Sequence, residues 1–440
     1  MAAKSDHIIS RYSEFTVYNI IIKDLFKTWA KRKEWGNMEE LISILMVNYN
    51  HADVIKETIE SVLAQSYTNF QFIIVDDGST DGSLEIINQF DDNRIEVYPQ
   101  KKNMQICTVT NIGLKKMKGT YLARIDSDDI WEPEKLEKQI RFLKEHSEYE
   151  ICFSLVDIID EEGNEIDNSP IKKMYEKNYT TQEQWLEQFF FKGNCVALPS
   201  VIMTKRVVDE IGNFNICYMQ AHDFDYWIRV AKRYPMYVMQ EALIKVRRYN
   251  GEKNNSNLSE INTTRFYNEY LDIKKHFFDD MDNDLFKRTF QKYFRDKNAN
   301  GQEKLECEKA FLLCIPCEPA RSIPFTGIER LGNLFQKQNY VDILEKEYNF
   351  NIKDFYIMTG KHLYNDYFLE QAKEKNSNLE RENRNLKDGM VKQDVENKKV
   401  NDELTGRIKE LEHRIEEYEY STSWQLTKPF RTVMKAIRRK

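Results

Sequence analysis

No stretch of these 440 residues approaches the roughly 20 consecutive apolar residues that a membrane-spanning helix needs. The longest early apolar run, Tyr18 to Ile22, meets Lys23 and Asp24 at once. Residues 1–30 also lack the apolar core and small-residue cleavage site of a secretory signal. These absences make the cytoplasm the expected compartment. Cysteine is scarce and odd in number, seven in all, and the positions form no disulfide framework. Cys314-Ile-Pro-Cys317, with Cys307 nearby, is the one cluster. No second Cys or His pair follows at zinc-ligand spacing, so these read as buried thiols. Neither Gly-x-Gly-x-x-Gly nor a P-loop occurs, which disfavours dinucleotide and ATP-type phosphate cradles.

The chain does have charge, unevenly spread. The net charge is −7, yet residues 424–440 carry six basic residues and no acidic one, which leaves −13 for residues 1–423. An acidic body argues against nucleic acid as the main partner. In the tail, Leu426, Phe430, Val433 and Ile437 share one helical face among Lys428, Arg431, Lys435, Arg438, Arg439 and Lys440. That is the composition of an interfacial helix at an anionic leaflet, although an apolar face also suits a protein partner. The expected location is therefore the cytoplasmic face of the cell membrane, held peripherally.

The length implies two or three structural units, since a single core rarely grows past about 250–300 residues. An N-terminal helix is expected within residues 1–38, where Ile8, Tyr12, Phe15, Ile22, Phe26 and Trp29 recur near a 3.6-residue period. Over 39–255 strands alternate with helices. Ile42–Val47, Phe70–Val75, Arg94–Tyr98 and Tyr121–Ile125 read as strands. Helical patterns begin at Ile55, at Ser83 and at Met104, the last running to Lys118 with Gly119 as its closing residue; another starts near Pro133. Such alternation predicts an α/β domain with a mostly parallel central sheet. Residues 256–365 are helical in pattern. Over 366–420 a seam of three- and four-residue steps runs from Leu379 through Leu386, Met390, Val400, Leu404, Ile408, Leu411 and Ile415 to Tyr418. It predicts a coiled coil and hence a homo-oligomer. Polar Asn383, Gln393 and Asn397 in the seam leave the strand number open. The basic tail over 421–440 completes the chain.

Ligands of an open parallel sheet bind at the carboxyl ends of its strands. Three polar clusters fall there: Val47-Asn48-Tyr49-Asn50, Val75-Asp76-Asp77-Gly78-Ser79 and Ile125-Asp126-Ser127-Asp128-Asp129. In an extended segment Asp126 and Asp128 project to one side. Two carboxylates so placed suit a hard cation, Mn²⁺ or Mg²⁺, which takes one or two carboxylates plus substrate phosphates. Asp129, Ser79 and Thr80 read equally as caps of the helices that follow. Asp77 sits where a base or ribose could be hydrogen-bonded. Asp223, in Gln220-Ala-His-Asp-Phe-Asp225, reads by spacing alone as a helix-start acid.

Taken together, residues 41–250 resemble the bacterial family 2 glycosyltransferases. The resemblance rests on Ile44-Leu-Met-Val-Asn-Tyr-Asn50, Val75-Asp-Asp-Gly-Ser-Thr-Asp81, Asn111-Ile-Gly113, Arg124-Ile-Asp-Ser-Asp-Asp129 and His222-Asp-Phe-Asp-Tyr-Trp227, in that order. It implies the GT-A fold and an inverting, metal-dependent transfer of sugar from a nucleotide-sugar to a glycan hydroxyl. Asp223 then becomes the catalytic base and Asp126 and Asp128 the metal site. Asn48, Tyr49, Asn50, Asp77, Asn111, Arg124, Asp126 and Arg248 become the donor-binding set, with Arg247 beside Arg248 in a basic segment that can meet a diphosphate. Two positions depart from the family pattern: His222 stands where a Glu is usual, and Thr110 where an Arg is frequent. The C-terminal Ser423-Trp-Gln-Leu-Thr-Lys-Pro-Phe-Arg431 resembles tails of some surface-polysaccharide enzymes, which points to capsule or O-antigen synthesis on a lipid-linked acceptor. The alternatives are a non-catalytic scaffold built on the same fold, and a sugar nucleotidyltransferase. The second would need a Gly-rich phosphate loop that Asn48-Tyr-Asn-His-Ala52 does not offer.

Overall fold

The computed structural model describes residues 40–166, 170–249, 259–316, 325–361 and 367–420, with scattered positions between 427 and 435. The expected N-terminal helix over 8–33 lies outside the described residues, as does most of the basic tail. Two compact units result, divided between Asn365 and Asp366.

The first unit opens with β1 (Ile42–Asn48), α1 (Ile55–Leu63), β2 (Phe70–Asp76), α2 (Ser83–Ile87), β3 (Ile95–Pro99), α3 (Ile106–Leu114) and β4 (Tyr121–Asp126). It continues with β5 (Ile130–Trp131), α4 (Lys135–Glu145), β6 (Ile151–Ile159), α5 (Pro170–Tyr175) and α6 (Gln182–Lys192). Then come β7 (Ile202–Thr204), α7 (Lys205–Ile211), α8 (His222–Ala231) and β8 (Tyr237–Arg247). The sheet order is β3-β2-β1-β4-β7-β6-β8-β5. The first four strands are mutually parallel, and the sheet turns mixed where β7 joins β4 antiparallel. This is the GT-A architecture.

Both faces of the sheet are covered, and alternation along β1 shows how. Leu45 and Val47 enter one core with α3, α6 and α8, while Ile42, Ile44 and Met46 enter the other with α1 and α4. Period two in the strand thus sorts side chains between two helical layers. The helices α9 (Glu260–Lys275), α10 (Asn283–Phe290) and α11 (Gln302–Leu313) extend the first of these cores through Tyr270, Ile273, Phe286 and Leu312. A smaller core of Phe311, Leu331, Leu334, Leu344 and Phe350 ties α11 to α12 (Phe325–Phe335) and α13 (Gln338–Tyr348). The unit ends with α14 (Ile352–Lys361).

Two local expectations shift. The helix expected to reach Lys118 stops at Leu114, so Gly119 is not its closing residue. Glycine is needed there for another reason: a Cβ would lie 2.4 Å from the Leu41 carbonyl oxygen of the neighbouring backbone. Pro133 precedes α4 instead of sitting in its first turn, because the first helical residue is Lys135.

The second unit includes the helix α15 (Tyr367–Tyr420), of 54 residues. Its apolar seam faces solvent: Leu404 is 54% exposed and Leu411 51%.

Candidate functional site

The parallel register brings the polar clusters onto one sheet edge. Asn48 pairs with Asp76, and Val47 with Asp126, so β1, β2 and β4 end at the same level. The loop after β1 and the loop after β2 are knitted together. Asn48 Nδ2 donates to Asp76 Oδ1 at 2.8 Å and to Ser79 Oγ at 3.1 Å. Asn50, at φ 59°, accepts from the Thr80 N–H at 2.8 Å and donates its own N–H to Ser79 Oγ at 3.0 Å. Ser79 and Thr80 therefore brace this edge and do not cap α2, whose N-cap residue is Gly82 and which has no side-chain cap. Tyr49 between them is exposed.

Asp77 is buried, and both its oxygens accept backbone N–H groups, from Met104 at 2.6 Å and Gln105 at 3.0 Å. It pins the loop entering α3 above the end of β2. Burial raises its carboxyl above the ordinary range, against those two bonds. Asn111 is likewise engaged at both ends of its amide, donating to the Phe214 carbonyl at 2.9 Å and accepting from its N–H at 2.8 Å. Neither pairing was readable in the sequence, since the partners lie 27 to 103 residues apart.

The acidic loop 126–129 is gripped from three sides. Arg124, 2% exposed, lies under it; its guanidinium donates to the Leu45 and Ile125 carbonyls and reaches Asp126 Oδ1 at 3.3 Å. From the α1 side, His51 Nδ1 meets Ser127 Oγ at 2.7 Å and Thr58 Oγ1 donates to the Ser127 carbonyl at 3.1 Å. From β8, the Arg247 N–H donates to Asp129 Oδ1 at 3.0 Å, and its side chain donates to the Asp128 carbonyl at 3.0 Å. Asp129 is consequently a strand-to-loop anchor and not a cap of α4, which starts with no side-chain cap. Arg247 also holds the Asp160 and Glu161 carbonyls and Glu57. Four of its five guanidinium N–H donors are engaged within the fold, which turns it inward and away from the diphosphate it was expected to meet.

Asp126 remains open to solvent, its side chain 39% exposed. Burial lifts Asp128 above the usual carboxylate range; facing His51 opposes the lift and Asp126 adds to it. Asp129 is raised further, by burial first and then by the charges of Asp128 and Asp126. Acids held this way want positive charge nearby. Arg248 supplies part of it, acting on both Asp128 and Asp129. Among the described residues no three His, Cys, Asp or Glu side chains form a ready cation cage.

Asp223, at the start of α8, lies within electrostatic range of Asp126. Its Oδ2 accepts from Asn194 Nδ2 at 2.8 Å and its Oδ1 from the Phe224 N–H at 2.7 Å. Its carboxyl is raised by burial; His222 opposes that, and the charge of Asp126 contributes to it. The acid of one helix thus feels the acid at the end of β4. Tyr175 on α5 joins them: it hydrogen-bonds Arg248 and lies within electrostatic range of Asp223 and Asp129. Sequence reading missed Asn194, His51 and Tyr175, which carry no spacing signal.

Residues 43–204 match the family described as Glycosyl transferase family 2. An uncharacterized glycosyltransferase of Methanocaldococcus jannaschii is 30% identical over 247 residues, covering 55% of this chain and 81% of that protein. The putative teichuronic acid biosynthesis glycosyltransferase TuaG of Bacillus subtilis is 31% identical over 217 residues, 49% of this chain and 81% of its own length. Among solved structures, S. aureus TarS 1-349 in complex with UDP-GlcNAc aligns with a TM-score of 0.47 at 16% identity, covering 72% of this chain and 89% of that one.

Proposed function

This chain belongs to glycosyl transferase family 2, and from that premise we propose that it moves a sugar, with inversion, from a nucleotide-sugar to a hydroxyl of a surface-polysaccharide acceptor. One observation carries the reading: Asp126, at the carboxyl edge of the sheet, acts through space both on Asp128 of its own loop and on Asp223 at the start of α8. Asp223 is held by Asn194 on one oxygen and by a backbone N–H on the other. Such a carboxylate, raised by burial, is suited to accept the proton of an acceptor hydroxyl as it attacks the anomeric carbon. Asp126 and Asp128 are the residues that would hold Mn²⁺ or Mg²⁺, a Lewis acid that neutralises the diphosphate leaving group. Arg124 fixes the position of Asp126 from below. Asn48, Asn50 and Asp77 shape the donor side of the crevice, with Tyr49 exposed at its rim. Arg248, hydrogen-bonded to Tyr175 and acting on Asp128 and Asp129, is the cation proposed to meet the donor there.

The relative's printed role in teichuronic acid synthesis supports the surface-polysaccharide assignment. The exposed seam of α15 supports self-association through a coiled coil, and the basic composition of residues 424–440 supports peripheral membrane contact. No helix of the described residues is long and apolar enough to cross a membrane. The domain limits read from the sequence, 39–255 for catalysis and 366–420 for assembly, are part of the same proposal.

The test is a thermal-shift screen of UDP-, GDP- and dTDP-sugars with and without Mn²⁺, followed by transfer or hydrolysis assays on any hit. A ligand that binds only the folded protein raises its melting temperature. Stabilisation that requires Mn²⁺ and disappears in Asp128→Asn is expected. A chain that binds no sugar nucleotide under these conditions is a scaffold instead.

A further inference from the structure

The helix α8 that carries Asp223 begins without a cap of its own. Its N-cap residue is Ala221, with no side-chain oxygen to receive the free N–H groups of a helix start. Those of the entering loop are nevertheless satisfied. The carboxylate of Glu269, in the middle of α9, accepts the N–H of Met219, of Gln220 and of Ala221, each at 2.8 Å. Glu269 is buried, 7% exposed, and a buried carboxylate receiving several N–H groups forms charge-assisted bonds, stronger than neutral ones.

Two further residues of α9 act on the same place. Asp272, three positions on and so on the same helix face, accepts the Tyr218 hydroxyl at 2.7 Å. Tyr270 stacks on Phe224, the residue after Asp223, with centroids 5.9 Å apart and planes within 6°. The loop is also closed from within, since His222 Nδ1 meets the Met219 carbonyl at 3.0 Å. A carbonyl can only accept, so Nδ1 is the donor in that bond of His222, the residue that stands where the family has Glu.

We infer that Glu269 is a positioning residue for sugar transfer: from α9 it clamps the N–H groups of the loop that enters α8, up to and including the N-cap residue Ala221, and thereby holds Asp223 in line with the acidic loop 126–129. The inference rests on Asp223 being the base, as proposed above. It gives α9, which follows the segment matching the family, a direct part in the reaction geometry.

Glu269→Gln keeps size and shape but presents an NH₂ group to loop N–H groups. Donor hydrolysis is measured with UDP-N-acetylglucosamine and Mn²⁺ for the wild type, Glu269→Gln, Asp223→Asn and the double variant. Hydrogen exchange of the 219–221 amides is measured alongside. Misplacing a catalytic group by about 1 Å can cost about 10²-fold, so kcat should fall roughly tenfold to a hundredfold, with KM for the donor within about twofold. In the Asp223→Asn background the same substitution should change kcat by less than about twofold, because residues acting as one unit are not additive. The 219–221 amides should exchange about tenfold faster while those of β1 do not change. Equal losses in both backgrounds, or unchanged exchange at 219–221, would overturn the inference. If the wild type hydrolyses no UDP-N-acetylglucosamine, the kinetic arm is run with the sugar nucleotide that stabilises the protein; hydrolysis of none counts against the proposed transferase reading, and the exchange result then judges the clamp by itself.

Discussion

Replacing Arg247 by Lys tests whether the acidic loop is held by one guanidinium. The substitution keeps the positive charge and the backbone N–H that anchors Asp129. It loses the fork that reaches the Asp128, Asp160 and Glu161 carbonyls at 3.0, 3.2 and 2.9 Å and Glu57 Oε2 at 2.6 Å. An ammonium can serve one or two of these groups, not all four. The shortest bond contributes least, because Glu57 is 56% exposed and exposed ion pairs contribute about 0–1 kcal/mol. The carbonyl bonds dominate. Bonds from a charged donor contribute about 1.5–3 kcal/mol each when buried, less here because the loop carbonyls can partly rehydrate. The expected loss is about 2–4 kcal/mol, within a total stability of about 5–15 kcal/mol, so the variant should still fold. Urea unfolding monitored by fluorescence measures it, and Glu57→Gln is the control, expected to cost under about 1 kcal/mol. Mn²⁺-dependent stabilisation by the best sugar nucleotide should weaken in Arg247→Lys, since the loop bearing Asp128 keeps the backbone bond from β8 but loses the side-chain bond to the Asp128 carbonyl. A cost below about 1 kcal/mol, or a Glu57→Gln cost as large as that of Arg247→Lys, would refute this account.

Asp223→Asn should lower kcat by about 10²–10⁴-fold while leaving donor-induced thermal stabilisation intact; loss of donor binding would move Asp223 out of the base role. Because a base works only when deprotonated and burial raises Asp223, activity should fall as pH drops through a value above the ordinary carboxylate range, a limb that a kcat profile resolves. Asp128 is raised in the fold, so its ionisation destabilises the ligand-free protein once pH exceeds the unfolded value. Asp128→Asn should therefore unfold at a higher temperature than wild type at neutral pH in the absence of metal, with the gain vanishing in acid, as calorimetry would show. Leu404→Lys with Leu411→Lys, both on the exposed seam of α15, should lower the oligomer mass in analytical ultracentrifugation if that seam is a coiled coil.

The legible part of this molecule is the part written in periods. Strand β1 alternates between two buried cores, and the parallel register then forces Asn48, Asp76 and Asp126 to one edge. Any sequence with that alternation and those acids at the ends of its apolar runs must gather them there, because side chains in a strand repeat every two residues and parallel partners end together. What each polar residue then does was decided by tertiary structure. Asn111 turns to Phe214, Asp129 to Arg247 of β8, and Arg247 inward instead of toward a ligand. Glu269, an ordinary acid within a helical pattern, clamps the loop that enters a helix beginning 47 residues before it in the chain. A hydrogen bond between distant positions leaves no period in the chain, since it depends on where two backbones meet after the sheet and helices have packed. Local order set the edge where the acids gather, and packing chose the partners that hold them there.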